Sequence, residues 1–304
     1  MTKIFIDGSA GTTGLRIAER LDGRTDLSVI QIPAELRKDP EARREAINAA
    51  DIAFFCLPDA AAVEAAALVH GDTAVIDTST AHRTAAGWDY GFPELFGRRE
   101  KLAGSKRVAN PGCHASGFIA LVEPLVHEGL IAPDTALTCF SVTGYSGGGK
   151  SMIAEYEAED RAPALDSPRQ YALGQTHKHL KEMAVISGLE TAPIFCPIVS
   201  DYYSGMAVTV PLFKRDLRGS TEDIRALYQS HYAGPIVRYT DCAEPMLAAN
   251  TLSGKDSMEI RVEGNEERIL LISRFDNLGK GASGAAIQNM NILLGLPETT
   301  GLVL

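Results

Sequence analysis

A cysteine follows an Asn-Pro-Gly turn in the segment ANPGCHASGF, residues 109–118, directly before a stretch with helical apolar spacing. A helix N-terminus and a nearby histidine both lower the pKa of a thiol, and the thiolate is the nucleophilic form. Cys113 is therefore a candidate nucleophile, with a buried structural cysteine as the alternative. The other cysteines are interpreted as structural, because they lie in apolar strand-like runs or outside any motif: Cys56, Cys139, Cys196 and Cys242.

The segment QTHKHLKEM, residues 175–183, supplies the best histidine cluster. If a helix begins here, His179 and Glu182 share one face and His177 points elsewhere. One histidine then serves Cys113 as general acid or base, and the other holds substrate. The pair also fits two metal ligands on a strand, although no third ligand is evident and no metal is expected, or a plain surface helix. His114 is a weaker candidate base, because adjacent helical residues diverge.

A glycine pattern, GSAGTTG at residues 8–14, lies between a strand-like run and a helical run. Gly8, Gly11 and Gly14 allow a tight turn and close approach to a pyrophosphate, which the following helix N-terminus attracts. The alternative is a structural strand–helix turn. No acidic residue stands at the end of the second strand, where NAD-binding proteins carry one for the ribose hydroxyls. Arg37 and Lys38 follow instead, which favours NADP unless both simply face solvent.

Apolar runs alternate with helical patterns through the first part of the chain. Strands are predicted near residues 3–7, 27–32, 51–59, 73–80 and 107–112, which indicates a doubly wound α/β domain with a parallel sheet. Beyond Cys113 one helix leads to the segment 135–149, a strand that runs into a glycine-rich loop, and 192–213 and 257–275 are interpreted as strands of a mixed or antiparallel sheet. This part is interpreted as α+β, ending in a helical tail.

Composition restricts the class of protein. The chain has 304 residues, of which 45% are hydrophobic and 22% are charged, which predicts a globular protein of about two domains. A net charge of −10 argues against a nucleic-acid partner. The sequence opens directly on a strand and contains no long apolar run. We therefore expect no signal peptide, no membrane span and a reduced cytoplasmic location.

At this point the sequence resembles the short form of the N-acetyl-gamma-glutamyl-phosphate reductases, relatives of aspartate-semialdehyde dehydrogenase. The resemblance spans nearly the whole chain and depends on IDGSAGTTGL (6–15), FFCLPD (54–59), IDTSTAHRT (76–84), YGFPEL (90–95), ANPGCHASG (109–117), TGYSGGGK (143–150), THKHLKE (176–182) and DNLGKGASGAAIQNMN (276–291). The long form carries an aromatic residue and proline after the cysteine, where this chain has His114 and Ala115. It also commonly has His-Arg-His, where this chain has Lys178 in the middle.

The resemblance implies the roles of individual residues. Catalytic roles fall to Cys113, His177 and His179, with His177 favoured as the acid or base. Substrate contacts are expected at Arg83, Asn110, Gly147 and Glu182, with a surface ion pair as the alternative for Arg83. The implied cofactor is NADP(H), held at Gly8, Ser9, Ala10, Gly11, Thr12, Thr13, Gly14, Arg37, Lys38, Leu57, Pro58, Ser79, Asn277 and Gly281.

The same resemblance implies the activity and the domains. We expect NADPH-dependent reduction of N-acetylglutamyl phosphate to the semialdehyde through a Cys113 thioester, in arginine biosynthesis, by a homodimer or homotetramer. Another acyl-phosphate reductase, a non-catalytic NADPH sensor and a cysteine hydrolase are the alternatives. A Rossmann cofactor domain is expected over 1–112, an α+β catalytic and dimerisation domain with a mixed sheet over 113–276, and a C-terminal helix returning to the first domain over 277–304.

Overall fold

The structure is a computed structural model that describes residues 1–241 and 244–304, so Cys242 lies outside the described residues. The chain folds into two compact units. Unit 1 comprises residues 1–93, 97–111 and 285–302, and unit 2 comprises residues 94–96, 112–284 and 303–304. The domain boundaries expected from the sequence stay a prediction.

Unit 1 alternates strands and helices. Its elements in chain order are β1 (Thr2–Asp7), α1 (Thr12–Leu21), β2 (Leu27–Ile30), α2 (Pro40–Ala49), β3 (Ile52–Phe55), α3 (Asp59–Ala67), β4 (Ala74–Asp77), β5 (Asp89–Tyr90), α4 (Arg98–Ala103) and β6 (Arg107–Ala109). The sheet order is β2-β1-β3-β4-β6-β5, and every pairing is parallel. The doubly wound parallel sheet predicted from the sequence is confirmed.

Several strands are shorter than the apolar runs that predicted them. The run 73–80 forms a strand only from Ala74 to Asp77. The Asp77 carboxylate then accepts hydrogen bonds from the Ser79 amide at 2.9 Å and the Ser79 hydroxyl at 2.7 Å. This local side-chain pairing competes with the sheet ladder and turns the chain out of the sheet. The carboxyl edge of the sheet is where ligands bind in such folds.

The late helix α9, Gly284–Leu293, supplies apolar side chains to unit 1. Ala286, Ile287 and Met290 are buried in one core cluster with the sheet residues Ile6 and Phe54. Strands of a parallel sheet are apolar on both faces and need a helix against each. The helix therefore completes one of the two layers that cover the sheet.

Unit 2 is built around a mixed sheet. Its elements are α5 (Cys113–His127), β7 (Thr138–Gly144), α6 (Gly149–Glu157), β8 (Arg169–Gln170), α7 (His179–Ser187), β9 (Ile194–Ser200), β10 (Met206–Phe213), α8 (Thr221–His231), β11 (Val237–Tyr239), β12 (Met258–Gly264) and β13 (Arg268–Phe275). The order is β11-β12-β13-β10-β7-β9-β8, with β11/β12 and β7/β9 parallel and the other pairings antiparallel. The predicted α+β unit with a mixed sheet is confirmed.

Helix α5 lies against β10 and β13 and tolerates a proline in its interior. Pro124 has no N–H, so the Ala120 carbonyl loses its helical partner. The Tyr232 hydroxyl donates to that carbonyl at 2.6 Å, and the Tyr228 hydroxyl donates to the carbonyl of Leu121. These two phenols satisfy buried carbonyl groups and keep the helix continuous to His127.

Candidate active site

Cys113 is the first residue of α5 and is partly exposed, with Gly112 as the helix N-cap. Gly112 supplies no side-chain cap to this helix start in the part of the chain that the structure describes. A Cβ built on Gly281 would lie 3.0 Å from the Cβ of Cys113. The π-helical turn Gly279–Ser283 therefore approaches the cysteine closely only because residue 281 is glycine.

The Glu182 carboxylate accepts a hydrogen bond from the Gly112 amide at 2.8 Å. Glu182 is 2% exposed and lies on α7. A charged acceptor at this amide fixes the turn that precedes the nucleophile. The sequence assigned Glu182 to substrate, and the structure gives it a contact to the backbone of the cysteine turn.

The two histidines of the HxH segment lie close to one another. Helix α7 begins at His179, and its amide donates to His177 Nδ1 at 3.1 Å. The two ring centroids are 4.7 Å apart, and they lie 5.9 Å (His177) and 5.7 Å (His179) from the ring of His114. The expectation that His177 points away from its partner is therefore wrong, because the residue precedes the helix and does not follow helical spacing.

His114 belongs to this cluster, although its place in the sequence makes it a weak candidate base. Its Nδ1 is 2.6 Å from Ser141 Oγ and its Nε2 is 2.7 Å from the Tyr171 hydroxyl. Burial, together with the charge of His177, lowers the pKa of His114 to about 3, so the ring is neutral at physiological pH. A neutral buried imidazole positions its neighbours and exchanges no proton with solvent.

Tyr171 is a residue of this histidine cluster that the sequence did not indicate. Burial raises the pKa of its phenol, and the charge of Cys113 raises it further. The second effect means that the phenol and the thiol interact electrostatically. No sequence motif marks Tyr171, which becomes visible only when β8 and the following turn bring it to His114.

The glycine loop of unit 1 forms the end of a cavity of about 390 Å³. Gly8 has φ +85°, and a Cβ there would lie 2.3 Å from the Cys56 carbonyl oxygen. A Cβ on Gly14 would lie 2.4 Å from the Gly8 carbonyl oxygen. Both positions require glycine. The loop leads into α1, whose first residues are Thr12 and Thr13 and whose N-terminus has no side-chain cap within the described residues.

The cavity has a basic side. Its lining includes Arg37 and Lys38, as the sequence indicated, and also Arg43 of α2. Arg43 donates to Asp7 Oδ2 at 2.8 Å and 3.0 Å, which neutralises a buried carboxylate at the end of β1. The sequence had indicated neither Arg43 nor Asp7, because their partnership spans 36 positions in the chain. The remaining lining comprises Phe5, Ile6, Gly8, Ser9, Ala10, Ala18, Val29, Ile30, Gln31, Ile32, Leu57 and Ala61.

Arg83 is buried in the loop after β4. Its Nε donates to the Asn110 carbonyl at 2.9 Å, and a terminal nitrogen donates to the Thr78 carbonyl at 3.1 Å. Asp77 fixes this loop by accepting from Ser79 and pairing with His82 Nδ1 at 2.6 Å. Arg83 is therefore a buried side chain that contacts the backbone of Thr78 and Asn110 within unit 1, and a surface ion pair does not describe it. Pro58 is the N-cap residue of α3.

Asn277 joins two loops of unit 2. Its side chain accepts from the Gly205 amide at 2.8 Å and donates to Ser146 Oγ at 3.0 Å. A Cβ built on Gly147 would lie 3.6 Å from the side-chain nitrogen Nδ2 of Asn277. The glycine-rich loop after β7 is thus held by Asn277, which is 2% exposed.

Cys56 and Cys139 are less suited to attack. Burial raises the pKa of Cys56 to about 12 and raises that of Cys139 further. A thiol that does not ionise is a poor nucleophile.

Among the described residues, no helix has the length and apolar character needed to cross a membrane.

Comparisons with known proteins give the family. The semialdehyde dehydrogenase NAD-binding domain matches residues 3–104, and the semialdehyde dehydrogenase dimerisation domain matches residues 113–277. N-acetyl-gamma-glutamyl-phosphate reductase of Trichormus variabilis is 45% identical over 318 residues, covering 99% of each chain. The chain belongs to the N-acetyl-gamma-glutamyl-phosphate reductase family. The reductase of Brucella ovis is 46% identical and covers 96% of this chain and 99% of its own.

Solved structures share the fold at low identity. Aspartate semialdehyde dehydrogenase II from Vibrio cholerae has a TM-score of 0.72 and 17% identity, covering 97% of this chain and 99% of that chain. The Francisella tularensis aspartate semialdehyde dehydrogenase has a TM-score of 0.71 and 13% identity, covering 97% of this chain and 100% of that chain. The chain is thus a reductase-family member with the semialdehyde dehydrogenase fold.

The buried His114 should make the stability of the protein depend on pH. Its folded-state pKa of about 3 lies below its ordinary value of 6.5, so between them the unfolded chain binds more protons. The free energy of unfolding should therefore decrease as the pH falls, by on the order of 1 kcal/mol per pH unit from this group. Urea unfolding at a series of pH values measures the slope.

His114→Gln should flatten that slope, whereas His70→Gln, at an exposed position, should leave it unchanged. Equal slopes in the wild type and His114→Gln would contradict the assignment of a neutral buried imidazole.

Proposed function

We propose that this protein catalyses the NADPH-dependent reduction of N-acetyl-L-glutamyl 5-phosphate to N-acetyl-L-glutamate 5-semialdehyde and phosphate, a step of arginine biosynthesis. The observation that carries the proposal is the partly exposed Cys113 at a helix N-terminus, next to a turn held by Glu182. The names of relatives at 45% and 46% identity over nearly the full length support the substrate.

In this proposal the Cys113 thiolate attacks the acyl carbon of the substrate. The C–O bond to phosphate breaks, a thioester forms, and a histidine gives the departing phosphate its proton. NADPH, when bound, supplies a hydride for the thioester carbon. The C–S bond then breaks, the aldehyde leaves and the thiolate is restored. First-turn N–H groups of α5 stabilise the negative charge on the acyl oxygen.

The geometry supports different roles for the two histidines. Because His177 Nδ1 accepts the His179 amide, a neutral His177 carries its proton on Nε2 and offers a hydrogen-bond donor. His177 therefore orients the acyl oxygen, and His179 exchanges the proton. The family resemblance favoured His177 as the general acid or base. The hydrogen bond that His177 Nδ1 accepts from the His179 amide leads us to propose His179 for that role instead.

Replacing the nucleophile tests the covalent route. Cys113→Ser should lower turnover by at least about a thousandfold, because a serine hydroxyl at neutral pH is a much weaker nucleophile than a thiolate. The assay follows NADPH absorbance with the semialdehyde, phosphate and NADP supplied in the oxidative direction. Cys196→Ser is the matched control and should retain ordinary turnover. Ordinary turnover in Cys113→Ser would refute the thioester, and an inactive wild type would refute the proposed substrate.

The cavity in unit 1 fits a phosphorylated dinucleotide. Its end is the glycine loop, where the amides of α1 face a pyrophosphate, and its basic side offers Arg37 and Lys38. We propose that these two cations bind the 2′-phosphate of NADP. Ser9, Ala10 and Leu57 line the same cavity. Contacts of Pro58, Ser79, Asn277 and Gly281 with the cofactor, and of Arg83, Asn110 and Gly147 with the substrate, stay predictions.

Arg37→Ala should raise the KM for NADPH by roughly tenfold to a hundredfold, because a charge-assisted phosphate contact contributes about 1.5–3 kcal/mol. The KM for NADH should change little, since NADH lacks the phosphate. Arg44→Ala is the control, because Arg44 lies on α2 and pairs with Glu41 at the surface. A parallel rise in both KM values would place Arg37 elsewhere than at the 2′-phosphate.

The mixed sheet of unit 2 presents an apolar face that we assign to self-association. Phe140, Ile194, Phe213 and Leu270 are 44%, 61%, 51% and 38% exposed. The register puts them on the side opposite α5, since Phe140 pairs with Thr209 and Leu270 pairs with Pro211. The matched dimerisation domain contains this sheet, which supports a homodimer, or a homotetramer built from dimers.

Phe140→Asp should convert the oligomer to a monomer, because a charge on this sheet face opposes burial against a second copy. Light scattering coupled to gel filtration measures the mass. Val63→Asp, at a 54% exposed position of α3, is the control and should leave the mass unchanged. An unchanged mass in Phe140→Asp would move the interface to another surface.

A further inference from the structure

We propose that the buried ion pair between Glu94 and Lys280 positions the nucleophile, because it holds the π-helical turn Gly279–Ser283 against the side chain of Cys113. All of these residues belong to unit 2. Glu94 and Lys280 are positioning residues, which act on the cysteine through the backbone of the turn. The inference rests on the proposed function only where turnover is the readout, since the contacts themselves require no substrate.

The π-helical turn is packed between the nucleophile and a second backbone segment. A Cβ built on Gly281 would lie 3.0 Å from the Cβ of Cys113, and a Cβ built on Gly279 would overlap the Lys255 carbonyl group. The turn therefore fits closely on both sides because it carries glycine at both contacts. A displacement of the turn changes the space beside the cysteine directly.

The turn needs contacts from outside because its own structure is weakly determined. Its hydrogen bonds join residues five positions apart, from the Gly281 amide to the Asp276 carbonyl and from the Ser283 amide to the Leu278 carbonyl, each at 3.0 Å. Hydrogen bonding of this kind is rare and occurs mostly as single turns. Gly279 and Gly281 also lose more backbone entropy on ordering than other residues would.

Lys280 has the only long side chain in the turn, whose sequence is Gly-Lys-Gly-Ala-Ser. Its ammonium donates to Glu94 Oε2 at 2.7 Å, and the side chains of Lys280 and Glu94 are 2% and 9% exposed. An ion pair with so little access to water is weakly screened, and the loss of one partner leaves an uncompensated buried charge. The pair therefore fixes the turn at the residue next to Gly281.

Glu94 has a fixed position of its own. It lies in the segment 94–96, which belongs to unit 2 although the residues before and after it belong to unit 1. The Phe96 ring stacks between those of His127 and His231, at centroid distances of 4.1 Å and 4.2 Å. His127 is the last residue of α5, the helix that carries the nucleophile at its start. The carboxylate is thus held by a segment that packs against that same helix.

The test compares iodoacetamide alkylation of individual thiols in the full chain, followed by peptide mass spectrometry. The double variant Glu94→Gln/Lys280→Met removes both charges, so it leaves no lone charge in the interior. Without the ion pair the turn moves away from Cys113, and alkylation of that thiol should become at least about threefold faster through local opening. Cys139, which is buried in β7 of the same unit, should react at the wild-type rate.

Glu41→Gln/Arg44→Met is the matched control, because it removes an exposed ion pair of α2 by equivalent substitutions and should leave both rates unchanged. A wild-type rate at Cys113 in the folded double variant would overturn the proposal. An equal increase at Cys139 would also overturn it, because unit 2 would then open as a whole.

A single, more conservative change provides a second variant. Glu94→Gln keeps the shape of the side chain and an oxygen acceptor for Lys280, and it removes only the negative charge. Alkylation of Cys113 should again increase selectively, by a smaller factor than in the double variant. A wild-type rate in Glu94→Gln would refute the role of the charge.

Turnover gives a readout that general destabilisation would not reproduce. In the double variant kcat should fall by about tenfold to a hundredfold, because a small displacement of a reacting group has an effect of that size. The KM for NADP should stay unchanged, because neither Glu94 nor Lys280 lines the cavity of unit 1. An inactive wild type with the selective increase in alkylation would refute the proposed reaction alone, and an active enzyme without that increase would refute the positioning role alone.

Discussion

The hydrogen bond from the Gly112 amide to the Glu182 carboxylate joins the two segments of unit 2 that carry the candidate catalytic residues. The first segment is the turn before Cys113, and the second is the start of α7 with its two histidines. A buried carboxylate needs a donor, and a turn without a side-chain cap needs an anchor. One contact meets both requirements.

Much of this arrangement was predictable from residue types. The alternating runs predicted the parallel sheet, and the Asn-Pro-Gly-Cys turn predicted where α5 begins. The HxHxxE spacing predicted that Glu182 shares a helix face with His179. Each of these patterns is local, so periodicity and turn chemistry are sufficient to detect it.

Long-range partners were not predictable in the same way. Tyr171 meets His114 across 57 positions, and Arg43 meets Asp7 across 36. Neither pair has a spacing that distinguishes it from ordinary surface or core residues. The divergence of neighbouring helical residues argues against His114 as a base, yet its ring meets those of His177 and His179 through packing that a linear pattern does not contain.

The contribution of α9 to the first unit has a consequence for synthesis on the ribosome. Ala286, Ile287 and Met290 pack into the same core as the first strands, so that core is incomplete when residue 111 has emerged. At about 5–20 residues per second, the missing helix follows on the order of 10–40 s later. During that interval the nascent sheet lacks one of its covering layers and exposes apolar surface on that side.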